Sequence, residues 1–140
     1  MLLLKSSNRL WDRILQFQPT HVSIITYGIQ RTILGHSPYM AKLLTSKSSR
    51  IILCPNNSPV HSLIKHRETL DCHTKFIITH RGEENEFFLT SMNLEIGLWE
   101  NFLLQVQNKN TQRQMLSHFN TKWESANDPT PLPTFDHLIK

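Results

Sequence analysis

The chain has 140 residues, enough for one domain with one modest core, which excludes a large enzyme with separate cofactor and substrate domains. At 39% hydrophobic and 19% charged residues it reads as globular rather than disordered. A net charge of +4, without a long block of like charges, permits an anionic partner but excludes histone-like tail binding.

In chain order, residues 6–18 carry Leu10, Trp11, Ile14, Leu15 and Phe17 at helical spacing, and Pro19 stops the helix. His21–Tyr27 is β-branched and short, a buried strand closed by Gly28. Ile29–Ser46 is expected to be helical, with Ile33, Leu34, Met40, Leu43 and Leu44 inward and Pro38 near a break or an N-terminus. Arg50–Cys54 is a second strand, closed by a loop over Pro55–Pro59. Val60–Leu70 reads as a short helix with Leu63 and Ile64 inward. Cys72–His80 is a third strand, Arg81–Asn85 a turn and Glu86–Thr90 a fourth strand, which together form a hairpin. Phe102–Val106 is a fifth strand, and Thr111–Ser125 a helix with Met115, Leu116, Phe119 and Trp123 on one face. The expected class is α/β, a mixed sheet flanked by helices, in a domain over 1–126 with a proline-containing tail over 127–140.

Cys54 and Cys72 are the only cysteines, too few for a disulfide framework or a four-cysteine zinc site, so a reducing compartment is expected. The start Met1–Lys5 is too short for a secretory apolar segment, and no apolar run approaches the ~18 residues that span a bilayer. The expectation is a cytoplasmic protein without a membrane partner. Of the eight histidines, His21, His36, His61, His118 and His137 lack ligand spacing to one another. The pairs His61/His66 and His73/His80 do not fit a two-ligand helix either, so neither a metal nor another cofactor is expected.

His73 and Lys75 are different. On a strand, residues two apart project from the same face, so an imidazole and an ammonium stand side by side on an otherwise apolar strand. An imidazole is a competent nucleophile toward phosphorus and a competent general acid. A neighbouring ammonium stabilises the charge that develops on phosphoryl oxygens. Ser91 and Asn93 form a second such pair after the hairpin. If the two strands pair, four phosphate-contacting groups meet at one place; the plainer reading makes Ser91 and Asn93 turn formers.

The run His73-Thr74-Lys75, followed by His80 and then Thr90-Ser91-Met92-Asn93, resembles the phospholipase D superfamily motif His-x-Lys, Asp, Gly-Ser/Thr-x-Asn. The stretch Asn93-Leu94-Glu95-Ile96-Gly97-Leu98-Trp99-Glu100-Asn101 resembles the family's following segment. The resemblance implies metal-independent phosphodiester cleavage through a phospho-histidine. A chain with one motif implies a half-unit that completes its site across a two-fold homodimer axis. Carried over by position, His73 is nucleophile in one protomer and general acid in the other. Lys75 and Asn93 hold phosphate, and Ser91 assists. His80 stands at the motif's Asp place, Thr90 at its Gly place and Leu103 at the place of a supporting Glu, which leaves His80, Glu100 and Asn101 as supporting candidates. Lys42, Arg50, Lys65, Arg67 and Arg81 are expected to contact substrate phosphates, although each singly is an ordinary surface charge. The functional expectation is a nuclease acting on DNA or RNA as a homodimer. The alternative is a catalytically silent module of the same fold that binds nucleic acid or a protein.

Overall fold

Short runs rich in Ile, Val and Phe pair into a sheet here because no one of them is long enough to bury itself as a helix. The computed structural model describes residues 7–29, 35, 37–54, 64–70, 75–90 and 103–128. Its elements are α1 (Ser7–Gln16), β1 (His21–Ile25), α2 (Pro38–Thr45), β2 (Arg50–Leu53), β3 (Arg67–Glu68), β4 (Phe76–Arg81), β5 (Glu84–Thr90), β6 (Leu103–Gln105) and α3 (Lys109–Ser125). The strands form one mixed sheet in the order β3-β2-β1-β4-β5-β6. β1, β2 and β3 run parallel, whereas β4, β5 and β6 join by antiparallel pairing. The α/β class and the mixed sheet are therefore as the sequence predicts.

Alternation along the strands divides the core in two. On one face Val22, Ile24, Ile51, Leu53, Ile77 and Phe88 pack with Trp11 and Ile14 of α1 and with Met40, Leu43 and Leu44 of α2. On the other, Ile25, Ile52, Phe76, Ile78 and Phe87 pack with Met115 and Phe119 of α3. Each fully buried Ile, Leu or Phe contributes about 1.5–3 kcal/mol. These two layers, rather than the two-residue β3, hold the sheet. Arg13 ties α1 to the sheet's far border, with Nη2 2.9 Å from Glu86 Oε2 and 3.0 Å from Gln105 Oε1.

Three expectations are corrected. The helix expected over Ile29–Ser46 is confined, among the described residues, to Pro38–Thr45. Pro38 sits in the first turn and Ser37, held extended before it, caps the helix by accepting from Met40 N at 3.0 Å. The described part of Val60–Leu70 is not helical, because Arg67 and Glu68 pair with Ile52 and Leu53 as a strand. The hairpin turn is only Gly82-Glu83, since Arg81 already pairs with Glu84, and Gly82 takes φ +61, where a side chain would be strained. At the end of the described residues, Asn127 exchanges backbone hydrogen bonds of 2.9 and 2.8 Å with Glu68, and the rest of the segment expected as a tail lies outside them. No described helix is long and apolar enough to cross a membrane.

Candidate functional site

Parallel strands present their carboxyl ends at one edge of a sheet, where α/β folds place their ligands. Here the ends of β1, β2 and β3 share that edge with the start of β4 and the end of β5. Lys75 lies there, one residue before β4 and half-buried. Its carbonyl accepts from Thr90 N at 3.2 Å, so the β4–β5 pairing continues past Phe76 and Leu89. Carrying the β1–β4 register one residue beyond Ile25 and Phe76 sets Thr26 opposite Lys75 on the other side. Lys75 is thus flanked by two threonines.

Thr26 is 1% exposed, and its hydroxyl has no hydrogen-bond partner among the described residues. A buried polar atom left unpaired costs about 1–3 kcal/mol, so such atoms are rare and gather at working sites. Thr90 is also buried. Further along the same level, across Leu53, stands Glu68, buried with its carboxylate 3.6 Å from His66 Nε2. Sequence reasoning missed Thr26, His66 and Glu68. The available signal was a polar residue directly ending an apolar strand run, as Thr26 ends Val22–Ile25.

His73, Ser91, Asn93, Glu100 and Asn101 lie outside the described residues. The two motif halves nevertheless leave from neighbouring points: His73 is two residues before Lys75, and Ser91 directly follows Thr90.

The remaining named residues sit elsewhere. Arg81 is at the opposite end of β4, about 20 Å along the strand from Lys75. It donates to Phe17 O and Glu84 Oε2 and covers the Phe17 ring at 4.5 Å. Arg50 and Arg67 lie on the α3 face, the face away from the Thr26–Lys75–Thr90 row. Arg50 covers Phe119 at 4.7 Å, and Arg67 covers Trp123 at 4.1 Å. Each of these three arginines thus lies against an aromatic ring, buried Phe119 or half-buried Trp123 and Phe17, whose π face attracts a guanidinium group. Lys65 is exposed on the segment entering β3, three strands from β4. Lys42 is exposed beside a cleft of about 450 Å³, formed with Tyr39 and with Pro19 and Thr20 before β1.

His80 is near the same remote end as Arg81. Its Nε2 lies 2.9 Å from Ser23 Oγ and its Nδ1 2.6 Å from Asn85 Oδ1, and its ring stacks on His21 with centroids 4.6 Å apart. It is therefore not beside Lys75. Burial lowers its pKa, the Asn85 hydrogen bond raises it, and the charges of His21 and Arg50 lower it further. His21 is lowered by burial and then by Arg50. Among the described residues no group of three or more His, Cys, Asp or Glu could hold a metal.

No protein-family model matches the chain, and no curated protein matches it. Among solved structures it is similar to the polyphosphate kinase from Porphyromonas gingivalis, with a TM-score of 0.56 and 14% identity over 86% of this chain. The likeness spans 22% of the length of that kinase chain. At this identity the likeness is one of fold alone, a mixed α/β sheet flanked by helices.

Proposed function

We propose that the chain is a metal-independent phosphodiesterase, a nuclease, that works as a homodimer. The observation that carries this reading is the β4–β5 pairing with Lys75 bonded to Thr90. It starts the His73–Lys75 and Ser91–Asn93 segments from adjacent points of the carboxyl edge, in a fold similar to that of a phosphoryl-transferring enzyme. In the proposed reaction an imidazole nitrogen of His73 attacks phosphorus and the bond to the leaving oxygen breaks. The partner's His73, protonated, gives that oxygen its proton. Water then attacks phosphorus, the bond from phosphorus to nitrogen breaks, and the proton of water returns to the partner's His73. Lys75 and Asn93 hold the non-bridging oxygens, Ser91 assists, and the Thr26 hydroxyl, beside Lys75 in the strand register, is a further donor.

The second reading is a silent binding module, favoured by His80. At the motif's Asp place stands a ring whose two nitrogens are both engaged by Ser23 and Asn85. Labelled DNA, RNA and polyphosphate incubated with the full chain in excess EDTA decide between the two, beside His73→Ala. Cleavage that survives the chelator and disappears in the variant supports the enzyme. A variant as active as the parent overturns it, and retention of DNA or RNA without cleavage favours the module. Light scattering tests the dimer, which has twice the 16.4 kDa chain mass.

A further inference from the structure

Away from the Lys75 edge, and on the α3 face, basic groups gather without matching acids. His21 and His80 oppose each other across β1 and β4, and Arg50 pairs with Ser23 on β2, so all four side chains share one face. The proton positions follow by counting. The Asn85 amide oxygen only accepts, so His80 Nδ1 donates to it and His80 Nε2 accepts from the Ser23 hydroxyl. Thr20 has one hydroxyl hydrogen, and it goes to the His80 carbonyl at 3.2 Å. His21 Nδ1, 3.0 Å from Thr20 Oγ1, must then donate to Thr20. His21 Nε2 is left as a lone pair with no partner among the described residues. Arg50 uses a single donor there, Nη1 to Asn120 Oδ1 at 3.1 Å, while its flat face lies 4.7 Å from the Phe119 centroid. Its remaining N–H groups have no acceptor among the described residues. Both residues are half-exposed, so a solute can reach them.

We propose that His21 and Arg50 form a proton-linked site for a phosphate-type oxyanion, with His80 as the fixed plate behind His21. Arg50 supplies the guanidinium fork. Protonated His21 supplies an Nε2–H donor that the neutral ring lacks. The groups facing the pair are Thr20, Ser23, His80, Asn85, Arg67, Asn120 and Glu124, and Glu124 alone is acidic; it acts on Arg50. The protonated forms of His21 and His80 are penalised by burial and by Arg50. A bound anion offsets that penalty, so binding takes up a proton and tightens as pH falls below the ordinary histidine value of 6.5. The site is independent of the proposed catalytic edge. His80 is about 17 Å along β4 from Lys75, and the ring faces the other side of the sheet. The ligand is either free phosphate or the phosphodiester backbone of a nucleic acid.

The test is NMR titration of the histidine ring signals of the full chain with inorganic phosphate, at constant ionic strength made up with chloride. Expected is a saturable shift of His21 at pH 5.5–6.5, with binding at least about tenfold weaker at pH 8. Arg50→Gln is expected to weaken binding about tenfold or more, and Arg50→Lys several-fold, because it keeps the charge but loses the fork. His21→Asn removes the pH dependence, and Arg81→Gln, at the same end, changes nothing. Displacement of phosphate by a short oligothymidylate identifies the polymer backbone as ligand; failure to displace it identifies the free anion. A shift that chloride alone reproduces, binding equal at pH 5.5 and 8, or folded Arg50 variants that bind like the parent overturn the proposal.

Discussion

The two ends of β4 carry polar groups in opposite conditions. At the Lys75 end the Thr26 hydroxyl is buried without a partner among the described residues, and Glu68 and His66 are buried a few strands away. At the His80 end each ring is held by a hydrogen bond or a stack, and the arginines lie on aromatic faces. One end therefore keeps an unpartnered hydroxyl in the interior, and the other joins β1, β4 and β5 through the His80 ring and leaves its unused donors and lone pair on the half-exposed Arg50 and His21. Unmet capacity at the carboxyl edge of a sheet is what a bound oxyanion can satisfy. The contrast teaches that the polar groups at the two ends of one strand are satisfied in different ways.

The largest expected effect that tests this division is on rate. Lys75→Met is expected to lower cleavage about 10²–10³-fold while urea unfolding shifts by less than about 0.5 kcal/mol. Equal losses of rate and stability would make Lys75 a structural group instead. Next is Glu68→Ala, which removes one partner of a buried pair and is expected to cost about 3 kcal/mol in the same unfolding measurement. Thr26→Val is smaller and has the opposite sign. Deleting an unpaired hydroxyl is expected to stabilise the fold by about 1 kcal/mol and to lower the cleavage rate, and Thr26→Ser restores the rate. A Val variant that is less stable would show the hydroxyl to be bonded after all.

The smallest effect concerns pH. The folded-state pKa values of His21 and His80 lie below the unfolded value of 6.5, so the unfolded chain binds more protons near that pH. Stability is accordingly full above 6.5 and is lost as pH falls through it, levelling off below the folded values. Thermal melts from pH 8 to 5 check this. His80→Asp is expected to reverse the trend locally, since a carboxylate beside His21 and Arg50 favours the protonated ring.

Much of the sheet is legible in the sequence because its central strands are buried on both faces and read as apolar runs, as Ile51–Leu53 and Phe76–Ile78 do. β3 is not legible: two residues, Arg67 and Glu68, carry no period, and only pairing with β2 makes them a strand. Within the stretch read as helical over Ile29–Ser46, the apolar spacing does not mark the start at Pro38, which the Ser37 cap sets. In the candidate site, Lys75 is legible from spacing to His73, and the hairpin that aligns it with Thr90 is legible from Gly82 and the flanking runs. Thr26 and the His21–His80 stack are products of tertiary register across more than 48 residues, which local spacing does not encode. The aromatic partners of the arginines are equally non-local, Phe119 from α3 for Arg50 and Phe17 from the turn after α1 for Arg81.

The bridge between Asn127 and Glu68 has a further consequence for the molecule in a crowded solution. β3 is the border strand of the sheet, and a bare border is a template on which a second chain can extend the ladder. The polypeptide closes this border with its own backbone, just beyond the end of α3. A chain cut after Ser125 would expose the Glu68 amide and carbonyl to solvent. Such a chain is expected to self-associate along that border, through strand addition, before it loses the fold.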